Sequence, residues 1–478
     1  MTEVSEGLRR VPMRVWVAVF VVFSFVCSGG FGIEDMVSGS GPGFALLLLL
    51  VIPFVWGLPQ ALVCSELGSA LPEDGGLYRW SRRANGQFMG FQTGWWWTLS
   101  IFVDSAVYIA LTVDYMQNWF HFDSWVRWGI AIVLIAVFAY VNVRGIQLAS
   151  SVLVVFQVLV FIPFFLLAVI GLANWHHNPF SPMLLHGNSL LGGVGVALSV
   201  GIWMYSGFES LSTMAGEIQK PQKVIPKALM ITLPIVISFY VLSTMGGLSA
   251  VGRFQEWGTS GALDFMGVGR VVGGQILRYL FFVAMFAGNF ALFLAFLGAG
   301  ARPSYTLSKD KLAPKFLSKT HPKYGTPYAA ILLMAAVDVV LVRNGFATLI
   351  VIDVFLLMLA HITIYISAIR LRINEPDLER PYRVGLGTPA FIAMCAVPIT
   401  VAVFAMSPWG NGWDYFIWGT VAALTGPPAY FVFKRIYGGQ KALDAERAAT
   451  VQVAGDAAPV AGSATAPAGS PVVAPVAD

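Results

Sequence analysis

Seven carboxylates stand inside stretches that are otherwise apolar: Glu34, Asp35, Asp104, Asp114, Glu209, Asp338 and Asp353. An acid at membrane depth is costly and marks a functional position by default. Left unpaired, such groups attract ammonium ions or take up protons. At a separation of about 4 Å and an effective dielectric constant of about 20, one carboxylate–ammonium pair is worth about 4 kcal/mol before desolvation. Holding a molecule with several ammonium groups therefore takes two or three acids. The stretches expected to line a site carry no Lys or Arg at mid-depth, whereas an anionic substrate calls for one.

Two of these acids follow glycine breaks. "SGGFGIED" (28–35) places Gly29, Gly30 and Gly32 before Glu34 and Asp35, and "YSGFES" (205–210) places Gly207 before Glu209. Glycine is a poor helix former, so both stretches read as unwound backbone inside a span, with the acids facing a wet cavity. Glu34 is the expected substrate contact and Asp35 a cap of the outer half-helix. Glu209 is the strongest single candidate; its alternative role is a brace for the break. Asp104 and Tyr108 lie four residues apart and share a helix face. Trp203 and Tyr205 precede the second break, where aromatic faces attract alkylammonium groups by ~0.5–2 kcal/mol. Asn289 is a weaker lining candidate. His361 divides evenly between proton relay and structural hydrogen bonding. Asp114 reads as a solvated helix end, and "GWWW" (94–97) and "GVGVALSVG" (193–201) read as packing or interfacial segments.

The elements that must position these residues are membrane helices. The chain has 478 residues, 57% hydrophobic and 11% charged, against about 25% charged in soluble proteins. The fold class is an all-α integral membrane protein. Twelve apolar segments have the ~20-residue length that spans a bilayer; the first, sixth and ninth lie near 11–38, 190–214 and 327–342. With the N-terminus inside, 24 of the 29 basic residues fall on the inner face and 5 on the outer, a strong positive-inside bias. Both termini are then cytoplasmic and the membrane is the plasma membrane. The net charge of +4 needs no nucleic-acid partner. Cys27, Cys64 and Cys395 all lie in apolar stretches, which argues against a disulfide framework. No cleavable signal peptide is expected.

The breaks in spans 1 and 6 echo each other five spans apart, the mark of an inverted-topology repeat. The expected organisation is a cytoplasmic N-terminus (1–10), a first five-helix repeat (11–172), an inverted second repeat (190–370), two appended helices (388–433) and a disordered tail (440–478). A phosphate-cradling loop, a nucleophile elbow and a zinc-ligand cluster are all missing from the sequence. No enzyme, cofactor or metal site is expected, and transport must run on a gradient.

The span-1 glycines, "GEIQKPQKVIPKAL" (216–229), "ELGSALPEDGGLYRW" (66–80) and "RLRINEPDLERPYRV" (370–384) resemble the amino acid–polyamine–organocation transporter superfamily. "GGFGIED" (29–35), "PFVWGLPQALVCSELGSALPEDGG" (53–76) and "GFQTGWWWTLSIFVDSAVYIALTVDYM" (90–116) are similar to its polyamine-uptake branch, near the L-type amino acid transporters. That branch tends to have Trp-Asp-Ser where this chain has Phe208-Glu209-Ser210, a form also found in amino acid and arginine/agmatine carriers. The resemblance implies a LeuT-type core of two inverted five-helix halves. It also implies sodium sites built from carbonyls of spans 1 and 8 plus hydroxyls. "FAGNFALFLAFLGAG" (286–300) lacks a Ser/Thr pair, so protons are favoured over sodium. The expected activity is import of a polyamine-like organic cation together with protons, as a symporter, by alternating access. The alternatives are an amino acid permease or exchanger, with the substrate carboxylate on the N–H groups of Gly29, Gly30 and Gly32, and a non-transporting sensor or heteromer subunit. The sequence leaves the oligomeric state open.

The "WHHNPFSPMLLHG" loop (175–187) has no Lys or Arg while its neighbours do, which places it outside. An impermeant thiol reagent applied from outside should label Asn188→Cys and miss Lys311→Cys. The reverse pattern would overturn both the orientation and the inverted repeat.

Overall fold

The computed structural model describes residues 8, 11–27, 29–185, 198, 200–258, 263–343, 346–408, 412–439, 441, 442 and 444. Among them the fold is helical, with isolated backbone bridges and no strand. Nine helices among the described residues are long and apolar enough to cross a membrane. In lipid the backbone must satisfy its own hydrogen bonds, which the helix does within one segment. Three of the twelve expected spans are not among those nine. The first is split into α1 (Val15–Val26) and α2 (Ile33–Ser40). The sixth is helical over 200–204 and then unwinds. The ninth is a 14-residue helix, Tyr328–Leu341. Ser28, most of 193–201 and the side chain of Asp35 lie outside the described residues. Of the tail expected to be disordered, residues 441, 442 and 444 are helical and the others also lie outside.

The remaining elements follow in order: α3 (Pro42–Ala70), α4 (Leu77–Phe120), α5 (Ser124–Arg144), α6 (Ile146–Ala173), α7 (Pro221–Val251), α8 (Phe265–Lys309), α9 (Tyr328–Leu341), α10 (Phe346–Asn374), α11 (Thr388–Met406) and α12 (Trp413–Tyr437). α3 carries a π-helical stretch at Pro53–Gly57, where Pro53 has no N–H to give the helix.

Both breaks depend on glycine. Gly29 and Gly32 have φ of 122° and 101° and Gly207 has 112°, a region that residues with a Cβ rarely adopt. The two breaks also touch: a Cβ on Gly207 would lie 2.6 Å from the Phe25 carbonyl oxygen. Unwinding frees carbonyls, and buried ones must find donors. Tyr240 of α7 supplies one hydroxyl to both breaks, 3.1 Å from the Val26 oxygen and 3.3 Å from the Met204 oxygen. The Ser206 hydroxyl donates back to the Ile202 carbonyl and accepts from the Trp56 indole at 3.0 Å.

One end of the bundle is tied by buried charge. After Gly207 the chain forms a 3-10 helix, Ser210–Glu217, and Glu217 pairs with Arg302 of α8 at 2.6 Å. Glu66 at the end of α3 accepts from Arg372 of α10 at 2.8 and 2.5 Å. Asp310 accepts from Arg79 at 2.8 Å, from Tyr78 at 2.5 Å and from Arg82. Val11 bonds both ways to the segment after the 3-10 helix, giving its N–H to Glu217 and taking that of Gln219. These basic residues are among those assigned to the inner face from sequence.

Gly207→Ala forces a Cβ into backbone that has no room to yield. The expected loss is about 1–3 kcal/mol, seen as a lower melting temperature together with lost uptake. Gly39→Ala, where a Cβ meets nothing within 4 Å, should leave both unchanged. A Gly207→Ala protein as stable and active as wild type would contradict the contact between the breaks.

Candidate functional site

The breaks open onto a cavity of about 370 Å³. Its wall comes from α1 and the first break (Phe25, Val26, Gly29, Phe31, Gly32), from α4 (Ile101, Asp104, Tyr108, Leu111) and from the second break (Trp203, Met204, Ser206, Gly207, Glu209). α7 adds Tyr240, α8 adds Asn289, Leu292 and Phe296, and α10 adds Leu357. Asp104 and Glu209 are the only carboxylic acids among these lining residues, and Lys and Arg are missing from them. The rest is largely apolar and aromatic. Tyr108 stacks on Phe296, their centroids 6.0 Å apart and their planes 8° from parallel, so the Asp104 end of the cavity has a flat aromatic wall. The arrangement suits a molecule with a hydrocarbon body and cationic ends.

Eight residues expected from sequence line this cavity: Gly29, Gly32, Asp104, Tyr108, Trp203, Gly207, Glu209 and Asn289. Three do not. Glu34 is buried, and its carboxylate turns back to accept the Gly32 N–H at 2.8 Å and the Phe265 N–H at 3.2 Å. It fastens the start of α2 to the start of α8. Gly30 packs against aromatics, where a Cβ would meet the Phe164 ring at 2.9 Å. The Tyr205 hydroxyl gives its hydrogen to the Leu49 carbonyl of α3 at 2.8 Å.

Three other intramembrane acids have partners of their own. Asp114 pairs with Arg127 at 2.6 Å. Asp338 accepts from Ser105 at 2.9 Å, and Asp353 accepts from Ser100.

Glu209 is held by three partners that its own segment does not reveal. Gln60 of α3 donates to its Oε2 at 2.8 Å, Trp97 of α4 donates to Oε1 at 3.2 Å, and His361 Nε2 of α10 lies 3.3 Å from Oε2. Trp97 therefore leaves the "GWWW" set expected to serve packing, whereas Trp95 and Trp96 do reach α12, at Thr425 and Ala423. Gln60 carried a signal of its own, a lone amide inside an apolar run. Phe31, Met204, Ser206 and Tyr240 had no such signal.

Comparison with known proteins shows the family. The family model for amino acid permeases matches residues 14–426. A probable polyamine transporter of Arabidopsis thaliana is 30% identical over 408 residues, covering 84% of this chain and 80% of its own length. The polyamine transporter PUT1 of Oryza sativa subsp. japonica is 31% identical over 393 residues, 81% of this chain and 73% of its own. The glutamate/serine transporter AimA of Bacillus subtilis is 26% identical over 372 residues, 71% and 67% of the two chains. With its family matched over most of its length and its helices apolar enough to span a bilayer, this multi-pass membrane protein belongs to the amino acid permease family of the amino acid–polyamine–organocation superfamily, whose members are transporters and not enzymes.

Proposed function

We propose that this chain is a secondary transporter that imports a polyamine-like organic cation across the plasma membrane by alternating access, with both termini cytoplasmic. The observation that carries the reading is the cavity at the two helix breaks, lined by Asp104 and Glu209 and by no Lys or Arg. The ammonium ends meet the carboxylates, and the methylene chain lies along Phe25, Phe296 and Trp203. Relatives named as polyamine transporters support the substrate class.

The architecture proposed for it is twelve spans, with a LeuT-type pair of inverted five-helix repeats (11–172 and 190–370) and two further helices (388–433). The three spans missing from the nine long helices support it: two are spans 1 and 6, the broken first helices of the two repeats, and the other is short. Protons are proposed as the coupling ion in preference to sodium, because the α8 segment at 286–300 has no hydroxyl side chain to complete a sodium site.

An amino acid substrate is the second reading, favoured by relatives such as AimA. It needs free backbone N–H groups at the first break to hold the substrate carboxylate. Gly32 already gives its N–H to Glu34 at 2.8 Å, which weakens that reading relative to the amine.

Uptake of labelled putrescine into proteoliposomes tests the choice. Unlabelled polyamines should compete, and neutral or acidic amino acids should not; the opposite ranking would favour the second reading. Glu209→Gln removes one partner of a buried charge pair, a loss of about 3–5 kcal/mol when burial is deep. Putrescine affinity should then fall ~10²-fold or more, since ~1.4 kcal/mol is tenfold. Glu209→Asp should recover part of it. A folded Gln variant that binds like wild type would reduce Glu209 to a brace and leave Asp104 as the cavity's acid.

A further inference from the structure

Behind Glu209, on the side away from the cavity, sits a histidine that the amine site does not use. His361 is 1% exposed, in a helix whose apolar run would suit any hydrocarbon side chain better. Its Nε2 lies 2.7 Å from Gln60 Nε2 and 3.3 Å from Glu209 Oε2, and Gln60 Nε2 donates to that same Oε2 at 2.8 Å. An amide nitrogen carries two hydrogens and accepts nothing. One hydrogen points to Glu209 and the other to the ring, so Nε2 is an acceptor and the ring carries its proton on Nδ1. Nδ1 and Gln60 Oε1 are both buried without a partner. In this arrangement Nε2, beside the Glu209 carboxylate, is the ring atom placed to take a proton. A proton arriving at Nε2 puts an imidazolium against the carboxylate. The new N–H points to Glu209 Oε2, and Gln60 gives up its bond to the ring while keeping the one to Glu209.

The groups around the ring are few. α3 contributes Gln60 and Trp56, whose ring meets His361 edge-on at 5.5 Å. The second break contributes Glu209, whose other oxygen takes the Trp97 N–H from α4. On its own helix stands Tyr365, with Cys64 of α3 and Cys395 of α11 near that phenol. Asp104 stands beyond Glu209, on the cavity wall.

We propose that the Glu209–His361 pair is a proton-binding site whose proton is expelled when the amine binds. The proposal rests on reading the cavity as an amine site. One carboxylate faces the substrate on one side and the imidazole on the other. Imidazolium and ammonium are each drawn to it and repel each other, so each lowers the affinity of the other. On amine binding the Nε2–H bond breaks, the proton passes to water, and the ammonium takes its place as counter-ion. His361 is thus a positioning residue that sets the charge of Glu209 without touching the substrate. A divalent amine entering as one proton leaves still carries net positive charge inward, so a negative-inside potential drives import.

Calorimetry of putrescine binding to the full-length protein in nanodiscs, at one pH in two buffers of different ionisation heat, counts the protons released. Wild type should release protons, and its putrescine affinity should fall by up to tenfold per pH unit towards acid. H361Q, checked for an unchanged melting temperature, should bind putrescine with no proton release and a flat pH profile. Wild-type protein that binds putrescine without releasing protons overturns the proposal and leaves the amine site standing. So does an H361Q protein that releases as many protons as wild type. Wild-type protein that binds no putrescine at any pH overturns both.

Discussion

The fold turns on a backbone contact, the packing of Gly207 in one broken helix against the Phe25 carbonyl at the other break. Unwinding at membrane depth is permitted only where the freed groups are met by protein or line a cavity. Here both conditions hold. Tyr240 answers carbonyls from both breaks with one hydroxyl, and the remaining opening becomes the cavity. The same unwinding that would be a defect in a lipid-facing helix brings Glu209 to the wall of a chamber and lets Phe25, Gly29 and Gly32 share it. Everything proposed for transport follows from these two stretches being non-helical and adjacent.

Charge is sorted by depth. At one end of the bundle, arginines from α4, α8 and α10 close on Glu66, Glu217 and Asp310, pairs that hold helix ends together. Within the cavity wall the acids Asp104 and Glu209 meet no Lys or Arg. The first arrangement serves closure and the second leaves attraction available for a cation. Buried pairs of the first kind are costly to break one partner at a time, so the end they tie is expected to open only as a unit.

The breaks were legible because glycine is the residue that marks them: Gly29, Gly32 and Gly207 carry the left-handed backbone that the sequence motif demanded. Asp104 and Tyr108 were legible through helical spacing. Long helices were legible through length, and the three spans that are short or broken were the ones with glycines or too few apolar residues. Partnerships across the sequence were not. Glu34 reads as a substrate ligand until Phe265, 231 residues away, brings an N–H to it. Gln60, Trp97 and His361 are single polar groups in three separate spans, and only packing shows that all three converge on Glu209. Spacing within a helix predicts a shared face; nothing local predicts which helix lies opposite.

The central claim is that the cavity between the breaks holds an organic cation on Asp104 and Glu209. An experimental structure of the protein with spermidine bound tests it most directly. The account predicts an extended ligand within the chamber, one ammonium within hydrogen-bonding distance of Glu209, another towards Asp104, and methylenes against Phe296 and Trp203. A ligand bound elsewhere, or one whose ammonium groups meet neither carboxylate, would contradict it.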